Sequence, residues 1–258
     1  KTTTSEALGN RTRTEVGRTA SIDVSGDTAI SAKGDFTQNG GQIKTGGNFS
    51  ADIGGNYNLG TVAVTEGHNA SYALSSASGK SSYTSIKQLA SSVEAGGNSS
   101  VYAAKDINAQ GAAISAQGDM GIGAGGNINL TSAQNSQKLD SSFQFSESGF
   151  MSGRSGRGTR NEESTRSIGT TISGKNIAIQ SGNSMLLEGS AVRGSGGVVL
   201  AANKDITVKE ARERYESLSE SSSSRSAFVN NRASATRDYV KQDLSKGSLV
   251  SGETVTIA

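Results

Sequence analysis

Apolar residues in this chain come in short alternating groups. Ile128-Asn129-Leu130 and Tyr57-Asn58-Leu59 set one apolar side chain on every second residue, the period of a strand with one buried face. Glycine followed by Asp or Asn punctuates these groups, as at Gly47-Asn48, Gly97-Asn98 and Gly118-Asp119. Such dipeptides favour turns. The pattern therefore predicts strands of a few residues, each closed by a corner. No apolar run reaches the length of a transmembrane helix.

The groups repeat. Residues 97–130 superimpose on residues 26–59 when shifted back by 71, and on residues 175–208 when shifted forward by 78. A fourth copy starts at 251–258, where Val255 and Ile257 follow Ile177 and Ile179. Apolar columns persist through the copies: Ile30, Val101 and Ile179; Phe36, Ile107 and Met185; Ile43, Ile114 and Val192; Tyr57, Ile128 and Ile206. A shorter period of 21 runs inside each copy, from Asn98 to Asp119 and from Asp106 to Asn127. A coil of that length, with short strands and polar corners, is one rung of a solenoid. The expected fold is all-β, a right-handed parallel β-helix, with residues 1–258 forming one repetitive unit.

Ten corner positions carry Asp or Asn: Asp27, Asp35, Asn48, Asn56, Asn98, Asp106, Asp119, Asn127, Asn176 and Asp205. These side chains bond the local backbone and tolerate left-handed conformations, and stacked Asn can form ladders between rungs. A calcium role would need the Gly-Gly-x-Gly-x-Asp nonapeptide, which is missing, and Asp and Asn alternate freely. The structural role is preferred.

Between the cores lie excursions at 60–92, 131–171 and 209–250. Each leaves through a Ser-rich run and returns through an apolar anchor, Val16, Leu89, Ile168 or Leu244. Patches such as Ser141-Ser142-Phe143-Gln144-Phe145 alternate with period two, which predicts β-hairpins projecting from the rod as its most mobile parts. Residues 204–218 also admit a helix. Residues 153–160 read as a basic tip bearing Arg154, Arg157 and Arg160, either a contact for a phosphate-rich surface or a solvated loop balanced by Glu162 and Glu163.

Composition narrows the picture. Only 33% of residues are hydrophobic, against about 45–50% in ordinary domains, but a narrow core repeated along an axis needs no more. Proline is absent, which suits continuously paired strands. Cysteine is absent too, excluding disulfides and thiolate metal sites. The formal net charge is +2, so bulk charge supplies no argument for nucleic acid. Residues 1–15 lack the apolar run of a signal peptide. Both ends fall in mid-repeat, as expected of a segment of a longer chain.

Catalytic chemistry is not expected. The single histidine, His68, stands beside Glu66 without a second histidine, which makes a metal site or a Ser-His-Asp relay improbable. Gly121-Ile122-Gly123-Ala124-Gly125-Gly126 lacks the Lys-Ser/Thr ending and helix of a phosphate loop. Some β-helices hydrolyse polysaccharides with paired carboxylates, but no acid pair stands out from this repeat. No residues are expected to hold a metal or cofactor.

The core phrases AAKDINAQGAAISAQGDMGIGAGGNINLTSAQNS (103–136) and EGSAVRGSGGVVLAANKDITVKEA (188–211), with the exit ESLSESSSSRSAF (216–228) and the return TRSIGTTISGKNIAI (165–179), resemble the type-2 repeats of filamentous haemagglutinins. The match is closest to the repeats of contact-dependent growth inhibition effectors. The resemblance covers nearly the whole chain; the first excursion is shorter and departs most. It implies a non-catalytic module of a Gram-negative exoprotein, secreted to the cell surface through an outer-membrane two-partner-secretion transporter. It implies delivery of a C-terminal toxin across the target cell's outer membrane, with a surface receptor or that membrane as partner. The alternative is the shaft of a haemagglutinin-type adhesin. A monomeric rod is expected in either case.

Overall fold

The structure is a computed structural model that describes residues 2–6, 9–13, 17 and 19–258; the anchor Val16 lies outside the described residues. Every regular element among them is a strand. One coil shows the plan: Ala113–Ala116, Met120–Ala124 and Ile128–Thr131 follow one another around the axis. The first strand of each coil adds to one parallel sheet, the second to another and the third to a third. The chain is a three-sided parallel β-helix.

Inward columns run the length of the stack in unbroken register. On the first side Ile22, Ile43, Val93, Ile114, Ile172, Val192 and Val250 follow one another. The second side carries Ile30, Ala51, Val101, Ile122, Ile179, Leu200 and Ile257. The third carries Phe36, Tyr57, Ile107, Ile128, Met185 and Ile206. Columns that the 71- and 78-residue repeats separate thus merge, because the 21-residue coil interleaves them. The middle of each column is fully buried, as at Ile114 and Ile128, whereas Ile22 and Ile257 in the outermost coils are about half exposed. Phe36 stacks on Tyr57 at 5.3 Å between ring centres. The Tyr57 hydroxyl is buried without a hydrogen-bond partner, and burial pushes its pKa far up.

The corner residues bond upward along the axis. Asp27 Oδ1 accepts the Asn48 N–H at 2.6 Å, Asn48 Oδ1 that of Asn98 at 2.9 Å, and Asn98 Oδ1 that of Asp119 at 2.9 Å. Asp119 and Asn176 continue to Asn176 and Gly197. A second ladder runs from Asp35 through Asn56 and Asp106 to Asn127 and Ser184; Asp205 lies one coil beyond it. Each side chain therefore caps the next coil, where the local reading expects a bond to its own loop.

The glycine before most of these corners explains the fit. A Cβ at Gly47, Gly55, Gly118 or Gly126 would sit 2.1–2.2 Å from the Oδ1 of the coil below. Where glycine precedes the corner, the bonds at Asn48, Asn56, Asn98, Asp119, Asn127 and Gly197 span 2.6–3.0 Å. Where Lys105, Lys175 or Asn183 replaces it, the bonds lengthen to 3.1–3.3 Å. The third corner uses Gly40, Gly111 and Gly189 at φ of 56–62°, a left-handed conformation that glycine adopts without penalty.

The excursions are hairpins, but they do not project singly. Hairpin 1 pairs Tyr57–Ala73 with Ala77–Ala90, hairpin 2 Ala133–Gly149 with Ser152–Ile168, and hairpin 3 Ala211–Ala227 with Asn230–Lys246. Ala77–Ala90 also pairs with hairpin 2, Ser152–Ile168 with hairpin 3, and Gly9–Arg13 with hairpin 1. With Thr2–Glu6 they form one antiparallel sheet of eight strands, a fin continuous with the third side through Tyr57–Ala73. The physical reason is a matched pitch. Two coils advance about 9.6 Å, and two fin strands span the same distance at about 4.8 Å each. One hairpin per two coils therefore fills the fin without gap or overlap. Residues 211–218 are strand within it, not helix.

Each return foot carries a bonded hydroxyl, fully buried at Ser91 and Thr170 and half-buried at Ser248. Ser91 Oγ donates to Gly60 O at 2.6 Å and lies 2.8 Å from Gln38 O; Thr170 Oγ1 is 2.8 Å from both Ala109 O and Thr131 O; Ser248 Oγ reaches Lys209 O at 2.7 Å. These hydroxyls bridge neighbouring coils where the chain re-enters the rod, adding to backbone N–H groups that Gly60 O, Thr131 O and Lys209 O already accept. Of the apolar anchors, Leu89 and Ile168 are partly buried, whereas Leu244 is exposed on the outer strand of hairpin 3.

Candidate interaction surface

The fin is a single layer with water on both faces, so cross-strand pairs must hold it together. Its Ser-rich strands do this with small hydroxyls: Ser221 meets Thr236 at 2.7 Å, Ser223 meets Ser234 at 2.9 Å, and Ser155 meets Ser224 at 2.8 Å. Aromatic rings cover cross-strand glycines, Tyr72 over Gly79, Phe143 over Gly158 and Phe145 over Gly156. Low-complexity serine runs are thus ordered strand here.

The distal edge differs in chemistry. The turns present Leu74, Phe150, Met151, Phe228 and Val229, all exposed, with Phe150 at 96% and Val229 at 90%. The tips of hairpins 2 and 3 are level, since Ser152 pairs with Ala227 and Ala227 with Asn230. Hairpin 1 stops short, its Ala77 opposite Phe145. The seven residues by which the first repeat is shorter (78 − 71) are missing from this hairpin.

The basic segment 153–160 is not a loop tip. It lies in the strand Ser152–Ile168, paired on both sides, and the turn is at Phe150 and Met151. Strand alternation separates its arginines: Arg154 and Arg160 point to one face and Arg157 to the other. Arg154 pairs with Glu147 at 3.3 Å and lies 5.5 Å above the Phe145 ring. Arg160 is bound by Glu162, whose carboxylate raises its pKa. Arg157 lines a groove of the opposite face with Gln144 and Ser222. The register instead brings Arg154 opposite Arg225, and Arg225 opposite Arg232. Sequence reading missed these two because only pairing joins them. The usable signal is distance from the tips: each of the three arginines lies three residues from Met151, Phe228 or Val229.

Other titratable groups form ordinary surface pairs. Arg11 bonds Glu66 and holds its carboxyl below the usual range. His68 stands opposite Arg11 and Tyr83 in the fin. The Tyr239 hydroxyl donates to Glu216 at 3.0 Å, which lowers the acid and raises the phenol. Among the described residues no three His, Cys, Asp or Glu side chains converge as a metal site would require.

Comparison with known proteins settles the family. A hemagglutinin repeat model matches residues 70–153 and 151–256. The chain belongs to the hemagglutinin repeat family. Over 95% of its length it is 31% identical to the tRNA nuclease CdiA-2 of Burkholderia pseudomallei, and it spans only 8% of that protein. Over 49% of its length it is 32% identical to the 16S rRNA endonuclease CdiA of Enterobacter cloacae, covering 4% of that protein. No solved structure matches it. The hemagglutinin repeats of this chain form a structural module of a CdiA-type exoprotein.

Proposed function

We propose that this module acts without catalysis to help deliver a C-terminal toxin into target bacteria during contact-dependent growth inhibition. The likeness along nearly the whole chain to a small part of a CdiA nuclease carries this reading. In it, the exoprotein crosses its own outer membrane through a two-partner-secretion transporter and stands on the surface of a Gram-negative cell. Coils can fold one at a time as they emerge, because each needs only the edge of the coil before it. The test is to excise residues 1–258 from the full-length exoprotein and measure target-cell attachment and toxin uptake separately. Delivery predicts normal attachment with uptake abolished.

The hemagglutinin repeat match also fits a second role, an adhesin shaft that contacts host cells. Loss of attachment itself in the same deletion would favour it. Release of new reducing ends from polysaccharides by the purified chain would contradict both.

A further inference from the structure

Three arginines stand directly opposite one another near the far edge of the fin. Arg154, Arg225 and Arg232 occupy one row across three adjacent strands. Side chains so placed have Cβ atoms about 5 Å apart, and like charges there repel. Glu147, at one end of the row, offers the carboxylate that pairs with Arg154. Segments 144–157 and 222–235 hold four arginines against one acid, a local +3 in a chain whose total is +2. The row borders a groove of about 360 Å³ with Phe145, Ser223 and Ser234. Guanidinium and hydroxyl donors converging on one hollow suit phosphate oxygens.

The same edge carries Phe150 and Val229 almost wholly exposed, with Met151 and Phe228 beside them. The arginine row lies two residues in from the last paired row, about 7 Å at the strand rise. A bilayer's headgroup layer is about 5–8 Å thick on each side of its hydrocarbon. Apolar tips and cations are therefore spaced as a membrane surface requires. Hairpin 1, whose tip is withdrawn by about 12 Å, has Leu74 but no arginine in its turn.

We propose that the distal edge of hairpins 2 and 3 docks on a membrane bearing anionic phosphate headgroups. Arg154, Arg225 and Arg232 take the phosphates, and Phe150, Met151, Phe228 and Val229 enter the interfacial layer. The identification of that membrane with a target cell's rests on the delivery reading above; lipid binding itself can be measured apart from any toxin.

The experiment is vesicle flotation of the 258-residue chain with phosphatidylcholine, with or without phosphatidylglycerol. Binding is expected only to the anionic vesicles, and R154Q/R225Q/R232Q should weaken it at least tenfold. F150S/F228S should weaken it as well, and the emission of a Phe228→Trp variant should shift to the blue on binding. Arg193→Gln, on the rod, serves as the charge control and should change nothing. Equal flotation with neutral vesicles, or full binding by the triple variant, overturns the proposal. So does displacement by inorganic phosphate with no blue shift in the Phe228→Trp variant, which would mark a soluble-anion site. If lipid binding holds while deletion of the module leaves toxin uptake intact, the delivery reading fails and this one stands.

Discussion

Asn98 Oδ1 accepts the backbone N–H of Asp119 at 2.9 Å, and the Cβ that Gly118 lacks would lie 2.2 Å from that same oxygen. The acceptor and the space that receives it belong to different coils, so each Gly-Asx dipeptide is a lock for the coil below and a key for the coil above. Asn98→Ala should cost about 0.5–1.5 kcal/mol by removing the exposed bond to the Asp119 N–H. Gly118→Ala should cost about 1–3 kcal/mol through overpacking. The two should not add, because removing the Asn98 side chain also removes the nearest clash. Denaturant unfolding of both singles and the double tests this; strict additivity would show that the glycine serves another purpose.

Acid should loosen the second ladder at Asp35. The backbone N–H and the amide of Asn56 both bond its carboxylate and hold its pKa below the ordinary 3.8. A depressed folded pKa contributes stability that is fully present above 3.8 and is lost as pH falls through the lowered value. Asp35→Asn keeps an oxygen acceptor, as Asn48 and Asn98 do in the first ladder, but cannot be protonated in this range. The variant should melt like the parent at pH 6 and lose less on acidification below about pH 4. Equal acid sensitivity in both proteins would place the titrating groups elsewhere.

Much of this architecture is legible in the residues because every coil obeys the same local rule. Alternation gives the strands of 128–131, and the step from Asp106 to Asn127 gives the coil. The inward columns follow once the coil is known. What the sequence hides is the direction of bonds and the company of the hairpins. An Asx side chain is equally suited to its own loop or the next, and only stacking at strand spacing selects the latter. The fin depends on the rise of two coils, a quantity that no stretch of 137–163 encodes by itself. The grouping of Arg154 with Arg225 and Arg232, in place of Arg157 and Arg160, follows from that same register.

Thr170 offers a test of the hairpin feet. Its hydroxyl sits fully buried between the carbonyls of Ala109 and Thr131, two successive coils. Thr170→Val keeps the shape but removes the buried hydroxyl that these two carbonyls share, while Thr131 O keeps the Gly111 N–H, at a cost of about 0.5–1.5 kcal/mol. Thr170→Ser should cost far less, since Ser91 and Ser248 fill the corresponding feet. Thermal melting of the two variants separates the contributions: a larger loss in Thr170→Ser than in Thr170→Val would assign the role to the methyl group rather than the hydroxyl.

The matched pitch of rod and fin makes the sharpest demand. Ile128 and Met185 are neighbours in one column although 57 residues separate them (185 − 128), and Ala133–Ile168 accounts for 36 of these (168 − 133 + 1). Excising 133–168 leaves 21, the natural coil, so the rod should close over the gap with its columns intact. The fin should not. Hairpins 1 and 3 would still emerge four coils apart, about 19 Å, and each would lose the strand it pairs with in hairpin 2. Limited proteolysis should then cut within 77–90 and 211–227 at least tenfold faster, because these strands would hold pairing on one side only, while the rod resists cleavage and keeps its β circular dichroism. Unchanged protection of both strands would mean that the hairpins are stable singly, and that the fin is an accident of spacing rather than a consequence of it.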